Sequence, residues 1–69
     1  MIRTQVSSSN VMEVGYDLET ATLEIMFKGD MVYQYFDVPE SQYQNLINAG
    51  SVGEYLNDNI KGVFRYAKL

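Results

Sequence analysis

Carboxylates, hydroxyls, side-chain amides, three lysines and two arginines are the groups with which this chain could do chemistry. Histidine and cysteine are absent. Their absence excludes thiol and imidazole nucleophiles, the Ser-His-Asp triad, thiolate and imidazole metal sites, and a histidine pH switch. Ser7-Ser8-Ser9 therefore has no imidazole to activate it and reads as part of a polar loop. Glu13 and Glu24 fall on one face of neighbouring strands, where paired carboxylates could do acid–base work. A solvated charged face explains them more simply. Asn57-Asp58-Asn59 offers oxygen ligands but lacks the glycine and distal glutamate of a calcium loop. Gly50-Ser51-Val52-Gly53 matches neither a Walker loop nor a dinucleotide fingerprint. No catalytic residue, metal ligand or cofactor is expected.

Aromatic residues say more. Six tyrosines and three phenylalanines make up 13% of the chain. Tyr33-Gln34-Tyr35-Phe36 gathers three of them in one segment. Core and sheet packing is the plain explanation. The functional one is a platform on which bases stack, with cations beside it to meet phosphate. Tyr33, Tyr35 and Tyr66 are the stacking candidates, and Arg65 and Lys68 the phosphate contacts.

Alternation and capping signals define the elements that must position these groups. Val11 to Tyr16 alternates, with Met12, Val14 and Tyr16 on one side and Val11, Glu13 and Gly15 on the other. Thr22 to Lys28 alternates more cleanly, placing Leu23, Ile25 and Phe27 together. Lys28-Gly29-Asp30 closes a hairpin into a third strand, Met31 to Phe36. A three-residue loop pairs Phe27 with Met31, Ile25 with Tyr33 and Leu23 with Tyr35. A two-residue loop would exchange the faces. The first is preferred because Gln34 is a poor core residue. It leaves Val11, Met26, Val32 and Phe36 on the second face.

Pro39 marks a helix start at the first helical position, with Tyr43, Leu46 and Ile47 at helical spacing and a left-handed Gly50 as its stop. Ser51-Val52-Gly53-Glu54 reads as a capping box for a second helix carrying Val52, Tyr55, Leu56 and Ile60. Lys61 suits its negative end, and Gly62 terminates it. Residues 63–69 are extended and either pack on the body or add an edge strand. The expected fold class is α+β: a three-stranded antiparallel β-meander followed by two short helices and an extended C-terminal segment, with the helices on one face.

The chain has 69 residues, enough for one domain. Apolar burial contributes on the order of 100 kcal/mol, and ordering the chain costs about as much. The monomer is therefore marginal, and a homo-oligomer, a dimer above all, is expected through Val11, Met26, Val32 and Phe36. Five basic residues face nine acidic ones, for a net charge of −4. That balance opposes nonspecific attraction to phosphate backbones or anionic membranes. No apolar run reaches the length of a membrane span, and the first residues lack the apolar stretch of a signal peptide, so a cytoplasmic location is expected.

The chain resembles the KTSC domain, named from the C-terminus of some lysyl-tRNA synthetases and also found alone as a small bacterial or phage protein. The resemblance runs from Val6 to about Leu69 and makes residues 1–69 one such domain. It rests on Ser8-Ser9-Asn10-Val11, Gly15-Tyr16-Asp17, Leu23-Glu24-Ile25-Met26-Phe27 and the Tyr33-Gln34-Tyr35 centre. It continues through Val38-Pro39, Tyr43, Leu46, Ala49 and Ser51-Val52-Gly53-Glu54-Tyr55-Leu56-Asn57, and closes on Ile60-Lys61-Gly62-Val63-Phe64-Arg65-Tyr66. The resemblance implies no catalytic activity. Its attachment to a tRNA synthetase suggests RNA binding. Two functions are therefore expected in competition: a binding module for nucleic acid or a nucleotide, and a homo-oligomeric accessory protein that holds a protein partner or sequesters a nucleotide signal.

Overall fold

Leu23, Ile25 and Phe27 alternate with Thr22, Glu24, Met26 and Lys28, and the strand they define is the middle of the sheet. The computed structural model describes residues 1–69. Its elements are β1 (Arg3–Gln5), β2 (Val11–Asp17), β3 (Thr22–Phe27), β4 (Met31–Tyr35), α1 (Glu40–Ile47), α2 (Val52–Asn59) and β5 (Tyr66–Lys68). The class is α+β with two helices and an antiparallel sheet, as expected. The sheet has five strands rather than three, in the order β1-β2-β3-β4-β5. The two additional strands are three-residue edges, too short to show an alternating pattern.

The β3–β4 hairpin takes the three-residue register. Phe27 faces Met31, Ile25 faces Tyr33 and Leu23 faces Tyr35. Gly29 and Asp30 adopt φ of 85° and 60°, so the glycine supplies a left-handed turn position that most side chains resist.

One expectation about the strand faces is overturned. Val11 pairs with Phe27 but Glu13 pairs with Met26, so Met12 is bulged out of the β2–β3 ladder. A bulge resets the alternation by one residue. Val11 therefore turns to the helix-covered side, where it is 1% exposed among Val14, Leu23, Ile25, Leu46 and Leu56. It belongs to the core and not to the second face.

The helices follow their caps. Ser51 Oγ accepts a hydrogen bond from the Glu54 backbone N–H at 3.2 Å, the serine half of the capping box. Replacing Ser51 with alanine should cost about 1 kcal/mol of stability. Thermal unfolding reads this directly, and an unchanged midpoint would deny the cap its role. Val52, Leu56 and Ile60 are buried against the sheet. Gly62 takes φ of 78° just beyond α2, as its position suggests. Two details of α1 differ from expectation. Pro39 is the N-cap, with extended ψ of 148°, one position before the helix begins. Its end is closed by Asn48, whose Nδ2 donates to the Gln44 carbonyl at 2.8 Å, and Gly50 is not left-handed. The stacked rings of Tyr16 and Tyr43, 5.3 Å apart, tie α1 to β2.

Candidate functional site

Burial fades across the helix-facing side of the sheet. β2 and β3 supply four core residues, whereas β4 supplies Tyr35 alone. The uncovered end, between β3, β4, β5 and the end of α2, is a cleft of about 430 Å³. That volume lies within the roughly 300–1,000 Å³ of small-molecule sites. Phe27, Met31, Tyr33, Tyr35 and Tyr66 line it, with Lys61 above.

The rings form a connected set. Phe27 meets Tyr33 edge-on at 5.5 Å, and Tyr66 lies 5.7 Å from Tyr33 and 5.9 Å from Tyr35. Lys61 Nζ stands 5.1 Å from the Phe27 ring centre. The three tyrosines nevertheless differ in role. Tyr35 is 3% exposed and forms the floor; Tyr66 is 61% exposed and presents an accessible ring; Tyr33 is half-buried. A ring as covered as Tyr35 offers no open face for stacking.

Alternation along β5 sorts the remaining candidates. Tyr66 and Lys68 pair opposite Tyr35 and Tyr33, so both share the cleft's side of the sheet. Arg65 goes to the other side. Its Nη2 lies 2.6 Å from Asp37 Oδ2, and its guanidinium sits 5.7 Å from the Phe36 ring centre. It is already engaged there and does not join the cleft. Phe27, Met31 and Lys61 were not among the sequence candidates. Phe27 shares its strand face with Leu23 and Ile25 and looked like core, and Lys61 looked like a helix-end charge.

Ion pairing strengthens the contrast with the acidic whole. Both arginines are paired with carboxylates, whereas Lys28, Lys61 and Lys68 have no carboxylate within salt-bridge distance. Lys61 lines the aromatic cleft, and Lys68 pairs with Tyr33 at its β5 edge.

Burial pushes the Tyr35 phenol above its ordinary value of 10.0, helped by the neighbouring Tyr33 and Tyr66. The neutral form is thus favoured in the folded chain. The associated stability is present below pH 10 and is lost as pH rises past the unfolded value toward the folded one. Urea unfolding midpoints should fall above about pH 10. The fall should be shallower in Tyr35→Phe, and an identical fall would exclude Tyr35 as its source.

The second face is more polar than the sequence suggested. Arg3, Gly15, Glu24, Gln34 and Ala67 form one row across all five strands. Arg3 Nε lies 3.5 Å from Glu13 Oε1 and 3.3 Å from Glu24 Oε2, and Gln34 Nε2 donates to Glu24 Oε1 at 2.9 Å. The two glutamates are therefore parts of an ion cluster, with a cation between them. Met26 and Val32 pair on one side of this row, and Phe36 lies with Arg65 on the other. Without Val11, the apolar set expected here is split in two.

Comparison with known proteins gives one family. The model of the KTSC domain matches residues 7–64. The lysine–tRNA ligase of Nostoc punctiforme is 41% identical over 61 residues, which are 88% of this chain but 11% of that protein. The chain thus spans about a tenth of the length of the ligases it matches. An uncharacterized protein of Stutzerimonas stutzeri is 36% identical, covering 88% of this chain and 86% of its own length. The crystal structure of a KTSC domain protein from Yersinia pestis superposes with a TM-score of 0.95 at 41% identity, covering 99% of this chain and 96% of that one.

Proposed function

This chain belongs to the KTSC domain family, and from that premise we propose that it is a small non-enzymatic binding module whose aromatic cleft takes the base of a nucleotide or of single-stranded nucleic acid. The observation that carries this reading is the exposed Tyr66 ring beside Tyr33 and Phe27, with the unpaired Lys61 ammonium 5.1 Å from the Phe27 ring centre. A flat π-system can lie on the tyrosines while the ammonium meets its phosphate. Lys68 stands beside Tyr33 as a second phosphate contact. The relatives fused to a tRNA ligase support a nucleic-acid connection; the net charge of −4 favours a short ligand over a long strand.

Titration of the intact protein with AMP, UMP and a short single-stranded oligonucleotide tests the reading. Isothermal titration reports binding. Saturable heat whose affinity weakens in Lys61→Gln is the expected result. No saturable response to any of the three at millimolar concentration refutes it. A shallow loss of affinity with salt marks a small ligand, and a steep one marks a polymer. Self-association would have to use Met26, Val32 and Phe36 without Val11, and light scattering at high micromolar concentration decides that separate question.

A further inference from the structure

The aromatic cleft does not end at Lys61. A second hollow of about 230 Å³ lies between the Ser8–Asn10 turn and the start of α2, and Phe27 and Lys61 line both. The two walls approach closely: a Cβ placed on Gly53 would lie 3.6 Å from Ser8 Oγ. The chemistry changes sharply across Lys61. Phenol and phenyl rings dominate one side, whereas Ser9, Asn10, Ser51, Glu54 and Asn57 line the other. The side-chain amides of Asn10 and Asn57 take no part in the chain's own hydrogen bonds.

Resting on the reading above, we infer that the ligand is a nucleoside diphosphate carrying a terminal sugar. Its base lies on Tyr66 and Tyr33, its phosphates at Lys61, and its sugar among Asn10, Glu54 and Asn57. The Ser9 hydroxyl and the two amides both donate and accept, which suits a unit rich in hydroxyl groups. Glu54 distinguishes a sugar from a further phosphate. A carboxylate accepts from hydroxyl groups and repels phosphate oxygens. Lys61, with no carboxylate partner of its own, stands at the junction where a phosphate link between two unlike halves would pass.

The test compares ligands that differ only in the terminal unit: ADP against ADP-ribose, and UDP against UDP-glucose. Isothermal titration is run on the wild-type protein and on Asn57→Ala, whose side chain is exposed. At least one sugar-bearing ligand should bind about tenfold more tightly than its parent diphosphate, the gain expected from one or two added hydrogen bonds. Asn57→Ala should erase that advantage while leaving diphosphate affinity and melting temperature unchanged. Equal affinities within both pairs, or an Asn57→Ala variant that weakens diphosphate and sugar ligand alike, overturn the bipartite site and leave base binding standing. Binding of none of the four refutes both readings together.

Discussion

Truncating Tyr35 to alanine should cost about 3–5 kcal/mol of stability, as large aromatic deletions in well-packed cores do. Truncating Tyr66 should leave the folded chain intact and weaken a base-containing ligand about 5- to 150-fold. The contrast comes from exposure: Tyr35 is 3% accessible and Tyr66 is 61%. Both rings touch the same cleft, so lining it does not predict the outcome. Melting curves and ligand titrations on the two variants separate the roles. A Tyr66→Ala variant that keeps full affinity would remove the ring from the site. A Tyr35→Ala variant that melts like wild type would contradict its place in the core.

Gly15→Val should destabilise the chain by about 1–3 kcal/mol, the range seen when a close-packed site is overfilled. A Cβ at Gly15 would lie 2.9 Å from Arg3 Cγ and 3.0 Å from the Ile2 carbonyl oxygen. The first obstacle is flexible, but the second is backbone. Relief requires β1 to move off β2, which takes Arg3 away from Glu13 and Glu24. Thermal unfolding measures the loss, and amide exchange at residues 3–5 should quicken with it. An unchanged midpoint would show that β1 contributes nothing to stability.

Much of the fold was legible because its signals are local. The β3–β4 register followed from Gln34 as a poor core residue, and Ser51 with Glu54 marked the start of α2. The two edge strands were harder. Arg3–Gln5 is exposed throughout, so no buried stripe announces it. Val11 was misplaced because an alternating pattern carries no mark of a bulge. That single unpaired residue takes Val11 out of the apolar second face, which shows how one backbone irregularity changes a surface argument. For the site, the tyrosines were visible from the sequence, since aromatics crowd one segment. Lys61 and Phe27 were not, because their meeting depends on how α2 lies over β3. Arg65 failed for a related reason: its charge was evident, but its side of β5 and its bond to Asp37 were not.

The placing of β5 carries one more consequence. Every other pair of adjacent strands is joined by a short connection, whereas β4 and β5 are separated by residues 36–65, including both helices. Closing so long a loop costs entropy that only the finished body repays. The pairing of Tyr66 with Tyr35 is therefore the one strand contact that needs both helices in place between its partners. A chain with this pairing undone would lack Tyr66 in the cleft. Any molecule held by that ring gains affinity only from chains whose final strand is docked, and it shifts the population toward them by mass action. A ligand on Tyr66 would thus couple its own binding to the docking of the final strand.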